Sequence, residues 1–402
     1  MPDKKTIRDV DVSGKKVLLR VDFNVPFKPG TVEISNTNRI TSSLPTIRYL
    51  LDHGAAIIIC SHLGRPKGKA VKSLTLGPIG EKLSQFLDVP VGFCPSIDFC
   101  EIDLFTRDLK SGQVVLLENL RFHVGEEENE AGFSLLLSGL ADIYVNDAFG
   151  AAHRAHASTQ GVTRYLPSVA GLLLEEEIRS LRHVMLDPPR PFTAVLGGAK
   201  ISDKINVVKR LDSMADTVLI GGGMAATFLK AQGFNVGLSL VEENFLLEAE
   251  TLVSNRDTRI SGLMLPSDVV VSKSFHSDVE HRICEVSDIK YDEMLLDIGP
   301  QTVKKYVNVL EKSASVFWNG PMGVFEWEQY SLGTKLVAEA ISAGGRASVI
   351  GGGSTVEAIS KFGLEGRMTH ISTGGGASLE FLEGKNLPGI ESLTDFDNPE
   401  CI

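Results

Sequence analysis

Short, nearly continuous runs of apolar residues recur along the chain, and each run ends in a turn signal followed by a segment with helical periodicity. The runs are KVLLRVDFN, AAIIICSHLGRP, VVLLENLRFH and ADIYVNDAFG in the first half, and FTAVLGGAK, TVLIGGGM, SVFWNGPMG, ASVIGGGST and MTHISTGGG in the second. Uninterrupted Val, Ile and Leu runs that alternate with amphipathic segments are typical of parallel strands covered by helices on both faces. The pattern therefore predicts an α/β protein with two doubly wound parallel-sheet (Rossmann-like) domains.

The segment between the two halves predicts a helix that links the domains. It reads EEEIRSLRHVMLDPPRPF, a charged amphipathic stretch closed by Pro188, Pro189 and Pro191. Proline ends a helix because it lacks the N–H donor, and several prolines stiffen the chain that follows. A length of 402 residues also exceeds what one hydrophobic core usually serves, which favours two domains.

The charge balance excludes some partners and suggests another. The formal net charge of −11 argues against a general nucleic-acid binder, whose surface is normally basic. Residues 1–75 nevertheless carry 13 lysines and arginines against 6 acidic residues, which suggests a local site for a small anion. Five cysteines without a CxxC pair, and the lack of an apolar N-terminal or membrane-spanning run, lead us to expect a cytoplasmic protein with no membrane partner.

The loops that follow the predicted strands differ between the halves. In parallel α/β sheets ligands bind at the carboxyl ends of the strands, so these loops are informative. Those of the first half carry mainly charged and polar residues, namely Arg20, Asp22, Asn24, His62, Arg65, Arg121, Asp147, His153, Arg154 and His156. Those of the second half carry glycine, at 197–198, 221–223, 351–353 and 374–376. We expect an anionic small molecule in the first half and phosphates on the backbone of the second.

Glycine loops at helix N-termini let a phosphate approach bare N–H groups. The Walker pattern is absent, which excludes a P-loop NTPase, and GGGMAA matches the dinucleotide fingerprint only loosely. A nicotinamide dehydrogenase is thus an alternative that no other feature supports. Ser354 and Glu357 match a capping box at the start of the helix after VIGGG.

Three further residues of the second half are candidates for binding the ligand. Lys200 and Lys204 are four apart, so a helix would place both on one face, where an anion would relieve their repulsion. A solvated helix face is the alternative for this pair. Glu326, after WNGPMGVF, is either an ordinary loop acid or an acceptor for a ribose hydroxyl, and the residues leave both possibilities open.

The charged loops of the first half favour an anion clamp. Guanidinium groups bind phosphate and carboxylate bidentately, although any one of these arginines could equally form a surface ion pair. His153 and His156 could form a metal pair, but no third ligand is near in the sequence. No Ser/His/Asp or Cys/His nucleophile pattern is present.

Several long motifs resemble the phosphoglycerate kinase family, in order and over essentially the whole chain. They are LLRVDFNVP, SHLGRP, LLENLRFHVGEEEN, DAFGAAHRAHAST, LGGAKISDKI, IGGGMAATFL, WNGPMGVFE and STGGGASLEFLEGK. The resemblance implies reversible phosphoryl transfer between 1,3-bisphosphoglycerate with ADP and 3-phosphoglycerate with ATP, with Mg²⁺ bound to the nucleotide. It also implies a monomer whose linking helix acts as a hinge.

The resemblance further implies a division of the chain. Residues 1–183 would form the 3-phosphoglycerate domain including the hinge helix, residues 184–387 the nucleotide domain, and residues 388–402 a tail that returns to the first domain. The phosphoglycerate residues carried over by motif are Arg20, Asp22, Phe23, Asn24, Arg39, His62, Leu63, Gly64, Arg65, Arg121 and Arg154. The nucleotide residues are Lys200, Lys204, Leu295, Glu326, Gly352, Gly353, Ser354, Thr355 and Thr373. The catalytic residues are Arg39, Lys200, Gly374 and Gly375.

The implied chemistry agrees with the residues, with one departure. A carboxylate acceptor is ionised at neutral pH and needs no general base, which fits the absence of an acid–base dyad. However, the family usually has an aspartate that helps to hold Mg²⁺ where this chain has Ser354, and a smaller residue where it has Leu295. A hydroxyl is a poor replacement for a carboxylate around Mg²⁺. The alternative is therefore a catalytically weakened relative that only binds nucleotide or phosphoglycerate.

Overall fold

The computed structural model describes residues 3–254 and 262–396 of the chain. These residues divide into two compact units, one within Met1–Arg179 and Lys385–Ile402, the other within Ser180–Gly384. The last six residues of the predicted tail, including Cys401, lie outside the described residues. No helix in the described ranges is long and apolar enough to cross a membrane.

The first unit contains a parallel sheet flanked by helices. Its strands are β1 (Lys16–Arg20), β2 (Ala56–Cys60), β3 (Val91–Cys94), β4 (Val114–Leu117), β5 (Ile143–Asn146) and β6 (Ser168–Ala170). Its helices are α1 (Asn38–Asp52), α2 (Gly77–Leu87), α3 (Phe99–Thr106), α4 (Val124–Glu127), α5 (Ala131–Ser138) and the first part of α6 (Leu172–Leu186). The strand order is β3-β4-β2-β1-β5-β6, and all the pairings are parallel. Because β4, β2, β1 and β5 are neighbours, the charged loops that follow them meet at one edge of this sheet.

The second unit contains a parallel sheet of six described strands and a small antiparallel sheet. Its strands are β7 (Phe192–Leu196), β8 (Thr217–Ile220), β9 (Gly262–Met264), β10 (Asp268–Ser272), β11 (His281–Glu285), β12 (Met294–Ile298), β13 (Ser315–Asn319), β14 (Ala347–Gly351) and β15 (His370–Ile371). The parallel order is β15-β14-β13-β7-β8-β9, and the antiparallel order is β11-β10-β12. Neighbouring β14, β13, β7 and β8 bring the glycine loops to one edge.

The helices that follow cover this second unit, apart from the last one. They are α7 (Ile205–Asp212), α8 (Ala225–Ala231), α9 (Leu246–Ser254), α10 (Pro300–Leu310), α11 (Leu332–Ser342), α12 (Gly353–Lys361), α13 (Gly376–Leu382) and α14 (Pro388–Glu391). Helix α14 belongs to the first unit. There the Gly389 N–H donates to the Ala152 carbonyl and the Thr394 N–H to the Ser168 carbonyl.

The structure confirms that each of the nine apolar runs contains a strand, and within residues 3–254 and 262–396 it adds six strands. The predicted runs became β1, β2, β4, β5, β7, β8, β13, β14 and β15. The added strands are three to five residues long, and β10, β11 and β12 among them form the antiparallel sheet. The small antiparallel sheet was therefore absent from the prediction of two purely parallel sheets.

Helix α6 ends before Pro188 as predicted, and it begins at Leu172, three residues before the charged stretch. Its first free N–H groups are satisfied by residues from other elements of the first unit. The Leu172 N–H donates to Thr46 Oγ1 at 3.0 Å, and the Leu173 N–H donates to Asp147 Oδ1 at 2.9 Å. Burial raises the pKa of the Asp147 carboxyl to about 7, against the lowering effect of its hydrogen bonds with Thr46, Leu173 and Leu174.

Candidate functional site

The charged cluster of the first unit begins at the end of β1. Arg39, on the first turn of α1, donates from Nη1 to Asp22 Oδ2 at 2.5 Å. Burial by itself would raise the pKa of Asp22, but the surrounding cations outweigh burial and lower it. The ionised Asp22 thus holds Arg39, whose side chain is still 32% exposed and can reach a ligand.

His62, which follows β2, lies beside Arg20, the last residue of β1. Arg20 Nη2 lies 3.2 Å from His62 Nδ1, and because a guanidinium only donates, this nitrogen must accept. Burial lowers the pKa of His62 well below its usual value, and the nearby arginines lower it further. His62 is therefore a neutral imidazole at physiological pH, with its proton on Nε2.

The loops after β2 and β4 are locked together by polar side chains. Asn24 Oδ1 accepts from the Gly64 N–H at 2.9 Å, and Arg121 Nη1 donates to the Gly64 carbonyl at 2.6 Å. Asn119 accepts from the Leu63 N–H and donates to the Leu63 carbonyl. Burial lowers the pKa of Arg121 to about 10, which still leaves it charged at neutral pH.

The remaining predicted residues of this unit differ in their exposure. Phe23 is buried, and its N–H donates to Ser61 Oγ at 2.8 Å. Arg65 is exposed, without a hydrogen bond or ion pair among the described residues. Arg154 is half-buried and donates from Nε to His153 Nε2 at 3.2 Å. Within the described ranges no group of three metal-ligating side chains is present, so the metal pair considered for His153 gains no support.

A cavity of about 550 Å³ in the second unit is lined by the glycine loops. Its lining residues are Gly198, Ala199, Lys200, Asp203, Lys204, Asn319, Gly320, Pro321, Gly352, Gly353, Ser354, Thr355, Gly375, Gly376 and Leu379. Lys204 Nζ donates to the carbonyls of Gly197 at 2.6 Å and Asn319 at 3.1 Å. Burial lowers the pKa of Lys204 to about 8, because the charged ammonium loses contact with water.

The structure corrects the expected placement of the lysine pair on a helix. Helix α7 begins at Ile205, and Lys204 is only its N-cap residue. Lys200 is exposed and precedes a turn in which the Lys204 N–H donates to the Ile201 carbonyl. Lys204 Nζ thus points inward to two carbonyl oxygens rather than lying on a helix face with Lys200, and both lysines line the same cavity.

The capping box predicted for Ser354 is also wrong. The N-cap residue of α12 is Gly352, which adopts φ +89°, a conformation that favours glycine. Ser354 therefore lies within the first turn, exposed to the cavity, and makes no capping hydrogen bond. Thr355 is buried, its Oγ1 accepts from the Gly320 N–H at 2.6 Å, and its own N–H donates to the Gly352 carbonyl at 3.1 Å.

A second cavity of about 460 Å³ adjoins the first and is more apolar. The two cavities share Gly198, Ala199, Pro321 and Ser354. Leu295 and the exposed Glu326, two of the predicted nucleotide residues, line the second cavity, and Lys361 Nζ donates to the Glu326 carbonyl at 2.9 Å.

Sequence reasoning missed most of the apolar wall of this second cavity. The missed lining residues are Leu238, Leu240, Phe275, Met294, Leu296 and Val324. Phe275 is 62% exposed and packs against Trp327, with ring centroids 4.7 Å apart. Several of these residues lie on or beside the antiparallel strands, whose pattern gave no signal that they would meet.

The sequence also gave no indication of the buried Asp297 beneath this cavity. Its carboxylate accepts from the Gly333 N–H at 2.8 Å, near the start of α11, and from the Ile298 N–H at 2.9 Å. Burial raises the pKa of Asp297 to about 8, against the effect of these two hydrogen bonds. A Cβ on Gly323 would overlap this carboxyl group, so the loop that carries Glu326 packs directly against Asp297.

The loop from 373 to 375 lies at the start of α13, where Gly375 is the N-cap residue. The Gly374 N–H donates to Ser372 Oγ at 3.1 Å, and Gly375 lines the glycine cavity. Thr373 is half-buried and is not among the residues that line either cavity. The structure thus places Gly375 beside the predicted phosphate site, with Gly374 one residue behind it.

Comparisons with known proteins agree with one another. The family model described as phosphoglycerate kinase matches residues 7–385. The phosphoglycerate kinase of Moorella thermoacetica is 50% identical over 98% of this chain and 99% of its own length, and that of Herpetosiphon aurantiacus is 49% identical over 98% and 100%. The phosphoglycerate kinase structure from Coxiella burnetii has a TM-score of 0.87 at 38% identity, covering 97% of this chain and 98% of its own. That from Pyrococcus horikoshii has a TM-score of 0.85 at 35% identity, with the same coverage.

The chain therefore belongs to the phosphoglycerate kinase family, and it is a phosphotransferase with a carboxyl group as acceptor. The alternative of a catalytically weakened binding protein gains no support from these comparisons.

Proposed function

We propose that the first unit binds 3-phosphoglycerate and the second binds the nucleotide, for reversible phosphoryl transfer between 1,3-bisphosphoglycerate with ADP and 3-phosphoglycerate with ATP. The pair of adjoining cavities in the second unit carries this proposal. An apolar cavity with a carboxylate at Glu326 suits a base and its ribose. The glycine cavity beside it, with Lys204 and the start of α12, suits the phosphates.

The first unit supplies the cations for the phosphoglycerate. Arg39 and Arg65 are exposed enough to pair with its phosphate or carboxylate, and His62 carries an Nε2–H that can donate. Arg121 and Arg154 add positive charge from the loops after β4 and β5. Asp22 and Asn24 act by holding Arg39 and the Gly64 loop in place.

The transfer itself needs positioning and charge neutralisation. In the direction of ATP use, a carboxylate oxygen of 3-phosphoglycerate attacks the γ-phosphorus in line with the bond to the β-phosphate, and ADP leaves with the electrons of that bond. No proton is removed from the acceptor, because the carboxylate is already ionised. Arg39, Lys200 and the Gly375 N–H are proposed to stabilise the charge on the transferred group, while Gly374, whose own N–H donates to Ser372 Oγ, is proposed to shape the loop that presents Gly375.

At this site Mg²⁺ would be held mainly by the phosphates of the nucleotide and to a lesser extent by protein side chains. Mg²⁺ usually keeps several waters and binds one or two carboxylates together with substrate phosphates. Among the described residues that line the glycine cavity, Asp203 carries the one carboxylate, and the Ser354 hydroxyl is exposed nearby. These two side chains would help to hold the ion, which supplies charge neutralisation on the phosphates.

We also propose that α6 acts as a hinge whose movement excludes water during transfer. The domain bounds at 183/184 and 387/388, the monomeric state and the cytoplasmic location belong to this proposal. They are supported by the resemblance of the motifs to the family and by the composition.

The experiment is a steady-state assay with 3-phosphoglycerate and MgATP, coupled to NADH consumption, over a titration of free Mg²⁺. Wild type and Ser354→Asp are compared. We expect turnover in both, with Ser354→Asp reaching half-maximal rate at about tenfold lower free Mg²⁺, because a carboxylate is a better ligand for this ion than a hydroxyl.

Ser360→Asp is the control, since Ser360 is an exposed serine on the same helix that lines neither cavity. It should leave the Mg²⁺ dependence unchanged. If wild type showed no turnover at any Mg²⁺ concentration, the proposed function would be wrong.

A further inference from the structure

A chain of buried polar groups lies beneath His62 in the first unit. Arg20 is 1% exposed, and each of its guanidinium nitrogens donates to a protein atom. Nε donates to Ser158 Oγ at 2.8 Å, Nη1 donates to the Val21 carbonyl, and Nη2 donates to His62 Nδ1 at 3.2 Å. With all three nitrogens engaged inside the protein, Arg20 is placed to act on the ligand through His62.

The series of hydrogen bonds ends at the carboxylate of Glu126, which takes no part in the proposed function. Ser158 Oγ donates to Glu126 Oε1 at 2.6 Å, and the Ser158 N–H donates to Glu126 Oε2 at 3.0 Å. Burial raises the pKa of the Glu126 carboxyl, but both of its oxygens accept hydrogen bonds and Arg20 lies close, and these contacts favour the ionised form. Glu126 is fully buried, so it provides the counter-charge that the buried Arg20 requires, relayed through one hydroxyl.

Glu126 lies in a short helix that is hydrogen-bonded to the loop carrying Ser158. It is the first of three consecutive glutamates in VGEEEN, and it belongs to α4. The Ala157 N–H donates to the Glu126 carbonyl at 2.9 Å, which holds the Ser158 loop against this short helix. The next residue, Glu127, lies 3.1 Å from Arg121 Nε and is partly exposed. The two neighbouring glutamates thus interact with different arginines, Glu126 with Arg20 through Ser158 and Glu127 with Arg121 directly.

The hydrogen bonds that link Glu126, Ser158 and Arg20 determine which nitrogen of His62 carries the proton. While Arg20 donates to Nδ1, the imidazole proton lies on Nε2, which has no hydrogen-bond partner among the described residues. If Nδ1 carried the proton instead, it would face Asp22 Oδ1, which lies 3.9 Å away. Arg20 therefore keeps His62 from pairing with Asp22 and leaves its Nε2–H for a ligand.

We propose that Glu126 and Ser158 are positioning residues for phosphoglycerate: they hold Arg20 on His62 Nδ1, so that the His62 Nε2–H is presented to the substrate anion. The inference rests on the proposed binding of phosphoglycerate by His62. It also assigns Arg20 a role through His62 rather than by contact with the substrate.

The first test is spectroscopic and uses the full chain without ligand, labelled with ¹⁵N-histidine. The His62 resonances are assigned from their loss in His62→Asn. We expect wild-type His62 to show a single neutral form with the proton on Nε2 at neutral pH. In Ser158→Ala and Glu126→Gln, a second form with protonated Nδ1 should appear, because Arg20 is no longer held.

The second test is kinetic, with the same two variants. The KM for 3-phosphoglycerate should rise about tenfold, the equivalent of one hydrogen bond to a charged group, while the KM for MgATP and kcat change less than about twofold. Ser134→Ala is the matched control, since Ser134 is a buried serine of the same unit whose Oγ donates to the Glu130 carbonyl outside this chain. It should leave both KM values unchanged.

The two tests separate the possible failures. An unchanged His62 spectrum in Ser158→Ala and Glu126→Gln would overturn the relay, whatever the kinetics show. If Glu126→Gln fails to fold, Ser158→Ala decides, because it keeps the buried charge and removes only the connecting hydroxyl. A changed spectrum with an unchanged KM for 3-phosphoglycerate would overturn the placement of His62 against the substrate, and with it the functional half of the proposal.

Discussion

The two units present their candidate ligand sites in opposite ways. In the first unit, charged side chains hold one another: Asp22 holds Arg39, and Glu126 holds Arg20 through Ser158. In the second unit, the site is mostly backbone, with glycines around one buried lysine, Lys204. Both sites lie at the carboxyl edge of a parallel sheet, so the same architecture supports either design.

The difference predicts which substitutions should impair ligand binding or catalysis at each site. A site built from paired charges loses function when one partner is neutralised, because the other is left unpaired in a partly buried place. A site built from backbone is more tolerant of charge changes but does not tolerate a Cβ where two loops approach closely.

The largest effect is expected from Arg39→Ala in the first unit. This substitution removes a cation proposed to stabilise the transferring phosphoryl group and leaves Asp22 without its ion-pair partner. We expect kcat to fall about a thousandfold, as for the loss of a group that stabilises transition-state charge. Steady-state kinetics in both directions would measure it.

Arg48→Ala is the control for this change, since Arg48 lies on the same helix and donates to the Phe86 carbonyl at an exposed position. Its kcat should remain within about twofold of wild type, as for a surface substitution away from the site. A similar loss in both variants would mean that α1, rather than the charge of Arg39, is what matters.

The next effect is expected from Gly320→Ala in the second unit. Gly320 adopts φ +98°, and a Cβ there would overlap the Gly197 carbonyl oxygen and the Lys204 ammonium. We expect a loss of about 3 kcal/mol in the stability of this unit and a matching loss of nucleotide binding. Thermal unfolding with and without MgATP would report both.

Gly366→Ala provides the comparison, because a Cβ on Gly366 meets no atom within 4 Å. Its stability should change by about 0.5 kcal/mol or less. If Gly320→Ala were as stable as Gly366→Ala, the close approach of the two glycine loops would not constrain the site.

The smallest effect is a pH dependence that should separate the two substrates. Burial lowers the pKa of Lys204 to about 8, so the lysine loses its charge as the pH rises through that value. Bound phosphates favour the charged form, and the KM for MgATP should therefore rise about tenfold between pH 7 and pH 9. The KM for 3-phosphoglycerate should stay level, because the pKa of Arg121, although lowered by burial, is about 10.

Lys204→Arg tests the assignment of this titration to Lys204. The guanidinium remains charged over the whole range, so the rise in KM for MgATP should disappear even if the value itself is higher. An equal rise with pH for both substrates would contradict the contrast between the two units.

Local rules in the sequence predicted the fold better than the details of the site. The apolar runs identified nine strands, and the prolines after α6 marked its end, because these signals act within a few residues. The capping box at Ser354 failed because Gly352 takes the N-cap position through a positive φ that a motif does not reveal. The predicted placement of Lys200 and Lys204 on one helix face was wrong for a similar reason, since Lys204 is held by carbonyls from two separate loops.

The sequence by itself determined the two parallel sheets, the contrast between charged and glycine loops, and the family. These follow from periodicity, composition and long motifs, which are properties of neighbouring residues. Only the tertiary structure decided which groups are buried together: Glu126 with Ser158 and Arg20, Asp297 with Gly333, and Phe275 with Trp327. The physical reason is that pairing and burial depend on distances between residues far apart in the chain, and those distances exist only once the sheets have formed.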